Sequence, residues 1–148
     1  MLDVSLAIAH HLLIFTLFGV IVCEFLIVRA GMDRAGIERV AKIDIWYGIL
    51  AGLILVVGFG RATAAAKGWL YYEHNIFFWA KIGAFLMIGL LSIVPTIEFI
   101  KWRRAGGIPS AKQITAVRRY VHAELGLFIL LPIFAALMSR GYGELVGH

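Results

Sequence analysis

A single cysteine, Cys23, occurs in the chain. No intrachain disulfide can form, and no Cys-x-x-Cys redox or zinc motif exists. Charge is also scarce: Asp, Glu, Lys and Arg make up 16% of residues, against about 25% in soluble domains. No glycine-rich phosphate loop, no defensible Ser–His–Asp set, no internal repeat and no barrel-type strand alternation is found. Nothing therefore points to hydrolysis, phosphate-loop chemistry or an outer-membrane barrel.

What the chain has in abundance is apolar surface. Apolar residues reach 61%, against about 45–50% in soluble proteins, and 148 residues in one domain cannot hide that much from water. Part of its solvent should be lipid. Four segments approach the roughly 20 residues needed for a spanning helix: about 4–28, 43–63, 76–100 and 117–139. The first lacks a basic lead-in and is too long for the core of a cleaved signal, so it reads as a retained span. Short connections favour antiparallel neighbours. The expected fold is one all-α domain, 1–148, a polytopic up-down bundle of four transmembrane helices.

The net charge of +5 is concentrated in two clusters. Arg29, Arg34, Arg39 and Lys42 follow span one. Lys101, Arg103, Arg104, Lys112, Arg118 and Arg119 separate spans three and four. Because they flank apolar runs, they read as topology signals rather than a nucleic-acid surface. The positive-inside rule then places both basic loops in the cytoplasm of a bacterial inner membrane. Both termini and the Lys67–Asn75 connection face outward. Trp69, Tyr71, Tyr72 and Trp79 suit the outer interface, and Trp46 and Trp102 the inner one. Ser110 is a candidate cap for an amphipathic lead-in to span four. Gly48 and Gly52 form a small-xxx-small pair, suited to close helix approach or to a homo-oligomer contact. Pro95 and Pro132 deprive the carbonyls of Leu91 and Phe128 of their helical donors, so kinks are expected there.

Ionisable residues at the edges of these spans fall into two layers. His10, His11, Arg61, His74 and Lys81 make an outer layer, and Glu24, Asp44, Glu98, His122 and Glu124 an inner one. Asp3, His10, Leu17 and Glu24 recur every seven residues and so share a face, with a drift of about 20° per step. His11 points about 100° away. The inner carboxylates could pair with Arg29, Arg39, Arg103 or Arg119, relay protons, or hold a divalent metal together with His122. No Glu-x-x-His pair supports a di-metal centre. The outer layer could meet only headgroups, or could hold haem b. In the haem case His10 or His11 is one axial ligand, His74 or Lys81 the second, and Arg61 and Lys81 stand near the propionates.

IAHHLLIF, KIDIWYGILAG, EHNIFFWAK, LLSIVPTIEFIKWRR and AELGLFILLPIFAALMSRG together resemble a bacterial family of small membrane proteins of unknown function (domain of unknown function 2214). The likeness covers nearly the whole chain and implies an inner-membrane protein, with no activity to transfer. A looser resemblance links the chain to the four-helix membrane protoporphyrinogen oxidases, which have a histidine in the first helix and a lysine in the third. Here Trp79 stands two residues before Lys81 where that family would have histidine. That likeness implies haem or porphyrin binding at His10 or His11 with Lys81. Three functions are therefore expected to compete: haem or porphyrin redox chemistry, proton or metal-cation translocation, and a structural role in a membrane complex.

Overall fold

The computed structural model describes residues 2–64 and 68–145, side chains at 4–64 and 69–145. Lys67 and the side chain of Asp3 lie outside the described residues. Six helices account for the architecture: α1 (Leu2–Ile27), α2 (Arg34–Ala64), α3 (Gly68–Glu73), α4 (Ile76–Ala105), α5 (Ala111–Phe128) and α6 (Leu130–Ser139). Four spans of these, with α5 and α6 counted as one, are long and apolar enough to cross a membrane. Helix α1 packs against α2 and α5, and α4 against α2, α5 and α6. The bundle is therefore a square of sequential neighbours. Both termini lie at one end, and the two basic loops at the other.

Its inside and outside differ less in polarity than those of a soluble bundle. Leu17, Ile21, Ile54, Ile88, Phe128 and Leu131 fill the middle. Phe15 and Val56 are nonetheless 71% and 70% exposed, as residues against lipid would be. Cys23 is on this outer face too, rather than packed inside. Trp102 differs from its expected interfacial place: it is buried and meets Phe99 edge-on, ring centroids 5.7 Å apart.

The helices outrun the apolar segments at the basic end. Asp33 starts α2 by accepting from the Gly36 amide at 2.8 Å. Ser110 and Gln113 form a reciprocal capping box at α5, as the sequence suggested. The arginines there act as C-terminal caps. Arg34 donates to the carbonyls of Trp102 (3.1 Å) and Arg103 (2.7 Å), closing α4. Arg118 donates to the carbonyls of Phe25 (2.9 Å) and Val28 at the end of α1, and lies 4.2 Å over the Phe25 ring. Arg118→Ala should therefore destabilise the bundle by about 2–3 kcal/mol, with Arg118→Lys in between because an ammonium lacks the planar fork. Denaturant titration of helicity would check this order. Loss in the alanine variant no larger than for an exposed arginine would show that the cap contributes nothing.

The two prolines behave differently. Helix α4 runs unbroken through Pro95. Span four loses its hydrogen-bond ladder at Ile129, three residues before Pro132, although Ile129 keeps helical dihedrals (φ −61°, ψ −30°). The connection expected at 67–75 contains a helical turn, α3. Gly48 and Gly52 lie on an exposed face, where an added methyl would meet nothing within 4 Å, so they make no close approach within the bundle.

At the opposite end the C-terminal segment clasps the α3–α4 junction. Fully buried Asn75 caps α4 by accepting from the Phe77 amide (3.0 Å), and its Nδ2 donates to the Tyr142 carbonyl (3.1 Å). The Ile76 amide donates to Gly143 (2.9 Å), and the Leu145 amide to His74 (2.8 Å). Tyr71 donates its hydroxyl to the Met138 carbonyl at 2.9 Å.

Candidate functional site

The inner layer divides. Glu24 on α1, Asp44 on α2 and Glu124 on α5 turn into the bundle and are 1%, 9% and 0% exposed. Glu24 lies within electrostatic reach of both other carboxyls. Glu98 and His122 do not join them. Glu98 pairs with Lys101 one turn away at 2.9 Å, and exposed His122 stacks near Phe25, centroids 5.9 Å apart. Arg103 pairs instead with Glu38 at 3.1 Å. The pairing expected between the inner carboxylates and loop arginines therefore fails for all three buried acids. Their side chains point inward, whereas Arg103 turns to Glu38.

The polar complement of these acids comes from hydroxyls. Thr96 donates to Asp44 Oδ1 at 2.8 Å. Tyr47, one turn after Asp44 and also buried, lies beside Ser92 and Glu124. Both carboxyl oxygens of Glu124 and one of Glu24 have no hydrogen-bond partner within 3.5 Å among the described residues. No three His, Cys, Asp or Glu residues among those described converge closely enough to hold a metal ion. A buried carboxylate is costly unless paired, so such a set is suited to holding and exchanging protons. Tyr47 was missed in the sequence, although its spacing from Asp44 puts both on one helix face.

Asp44 and Tyr47 also form the floor of a groove of about 750 Å³ between α2 and α4. Gly48, Ala51 and Gly89 line it toward mid-span, and Arg34, Arg103 and Arg104 lie at its basic end. Toward the terminal end the acids are shut off by Leu17, Ile21, Ile54, Ile88 and Phe128, all buried. The acids thus have a lateral approach from one end and a packed apolar plug on the other.

The outer layer divides as well. His10 on α1, Arg61 on α2 and Lys81 on α4 line one hollow with Tyr72, Phe78 and Met138. His10 is 8% exposed, and its Nδ1 and Arg61 Nε are buried without partners among the described residues. Lys81 Nζ lies 5.7 Å from the Phe78 ring centre. His11 and His74 turn away, each hydrogen-bonding its own helix: His11 to Ala7 (2.7 Å) and His74 to Leu70 (2.9 Å). The stripe inferred from spacing is present in the burial of His10, Leu17 and Glu24.

For haem the donor chemistry is suitable, an imidazole and an amine facing each other with a guanidinium nearby. The space is not. The hollow measures about 40 Å³, whereas cofactor pockets run to about 300–1,000 Å³. A methyl added at Gly58 would sit 3.2 Å from His10 Cε1, so the imidazole already packs against the α2 backbone. A macrocycle does not fit between these helices as they stand.

A family model described as "Predicted membrane protein (DUF2214)" matches residues 2–143. No curated protein and no solved structure gives a significant match.

Proposed function

The chain belongs to this DUF2214 family of predicted membrane proteins, and on that premise we propose that it is a proton-linked membrane protein whose working group is the Glu24–Asp44–Glu124 set. The observation that carries this reading is a cluster of three buried carboxyls from three helices with no basic partner and several unpaired oxygens. Asp44, on the groove floor, is the point of entry. A proton taken up there passes to Glu24 or Glu124, with Tyr47 alongside. The apolar plug prevents onward conduction in this conformation. Transfer to the far side therefore needs a rearrangement of the bundle, which is carrier rather than channel behaviour. The basic loops lie in the cytoplasm of a bacterial inner membrane in this reading, so protons enter from the cytoplasmic side.

The test uses the whole protein in lipid. Infrared difference spectra between acid and alkaline pH should show a carboxylic C=O band that disappears in a Glu24→Gln/Glu124→Gln double variant. In sealed vesicles with an internal pH dye, the wild type should dissipate an imposed pH gradient faster than the double variant. Wild-type vesicles no leakier than protein-free ones would remove the transport reading. A band unchanged by the double variant would remove the site.

A further inference from the structure

We propose that the α2–α4 groove is a binding site for one anionic phospholipid, its phosphate at the arginine rim and an acyl chain along the groove. This rests on the groove and not on the proton reading.

Length is the first argument. The groove runs on α4 from Arg104 to Gly89. Fifteen residues of helix extend about 22 Å. One leaflet of a bilayer, headgroups included, is about 20–22 Å deep. A groove of that length, starting at the basic end and stopping near mid-span, matches a lipid from a single leaflet. It is too short for a span-length helix.

Charge is the second. Arg34, Arg103 and Arg104 line the rim with one carboxylate, Glu38. Glu38 accepts from Arg34 at 2.8 Å and from Arg103 at 3.1 Å, and with Arg104 unpaired among the described residues the rim's three guanidiniums and one carboxylate leave two net positive charges. Arg34 is further occupied by the α4 carbonyls. Arg104 has no side-chain hydrogen bond or ion pair among the described residues, and is left to meet an external anion. A lipid phosphate suits a planar guanidinium, which can donate two parallel hydrogen bonds to it.

Shape is the third. Ile45, Ala51, Phe99 and Ile100 give the walls an apolar surface. Gly48 on α2 and Gly89 on α4 keep the groove open, since even an added Cβ at either would meet no atom within 4 Å and would project into the space between the helices. These two glycines therefore hold a channel for a chain rather than a helix contact.

The same openness supplies a clean test. Gly48→Leu and Gly89→Leu fill the groove without touching the packed core. The wild type and variants are reconstituted in vesicles of phosphatidylcholine with one-fifth phosphatidylglycerol, extracted gently, and weighed by native mass spectrometry. The wild type should retain one phosphatidylglycerol per chain. The double leucine variant should retain neither lipid while keeping its helicity and melting temperature. Arg104→Gln should still retain a lipid, but its preference for phosphatidylglycerol over phosphatidylcholine should fall about fivefold, as expected for one surface charge. Wild-type protein that keeps no lipid, or keeps both lipids equally, overturns the proposal. So does a leucine variant that retains phosphatidylglycerol. If the leucines instead convert a lipid-free dimer to monomer, the groove is an interface between copies of the chain and the lipid assignment fails.

Discussion

Replacing Glu124 with leucine should give a protein that is more stable and exchanges protons more slowly. Glu124 is wholly buried, both its oxygens lack partners, and no basic side chain stands beside it. Holding a carboxyl in that setting opposes folding, because its polar atoms lose water and gain only the nearby Tyr47 hydroxyl, with no partner within 3.5 Å among the described residues. Leucine is of similar size and adds apolar burial. Even buried ion pairs can often be exchanged for apolar side chains at no cost or with a gain of about 1–4 kcal/mol, and a carboxyl without an ionic partner has less to lose. A gain of about 1–3 kcal/mol is expected here, read from denaturant titration of helicity in the same lipid mixture. The infrared carboxyl band and vesicle proton flux should fall together, while Glu124→Gln weakens the band with little change in stability. A loss of stability in the leucine variant would mean that Tyr47 or Ser92 depends on the carboxyl, and that the acid is held for structure.

Gly143→Val should break the C-terminal clasp. Gly143 has φ +77°, a left-handed backbone that opposes any β-branched side chain. Its added Cβ would stand 2.6 Å from both Ile76 Cγ2 and Phe77 Cδ2. The strained backbone adds about 1–2 kcal/mol and the lost Ile76-to-Gly143 hydrogen bond about 1 kcal/mol, so a total near 3 kcal/mol is expected. Gly141→Ala is the control: φ is +79° there, but the nearest atom is Glu144 Oε1 at 3.5 Å, leaving backbone strain alone. Hydrogen exchange at the Ile76 and Leu145 amides should accelerate strongly in the valine variant and little in the control. Equal protection in both would show that the clasp tolerates the clash.

Much of this architecture is legible in the sequence, because hydropathy reports what lipid demands. All four spans, the Ser110 cap and the His10–Leu17–Glu24 stripe follow from apolar run length, capping chemistry and helical phase. Helix ends do not. Residues 34–42 and 101–105 are helical yet charged, and hydropathy measures depth in the bilayer rather than helix length. Depth also failed to predict direction: His10 and His11 are at one level, but only His10 faces the hollow. The pairing of acids with arginines was misjudged for a related reason. The acids turn into the bundle and Arg103 meets Glu38 instead, a difference in direction that a one-dimensional list of charges does not display. The groove was invisible, because the separation of α2 from α4 is a property of two helices together, and only Gly48 hinted at it.

The clasp has a consequence for how the protein is made. The α3–α4 junction is finished by residues 140–145, which leave the ribosome after the four spans of this bundle. Until then Asn75 has no Tyr142 carbonyl to bind, and the Ile76 amide no acceptor from Gly143. The spans can enter the bilayer one by one, yet the bundle locks at that end only when residues 140–145 arrive. A nascent chain stalled before Gly141 would be inserted but open at that end, and a membrane protease could distinguish it from the finished molecule.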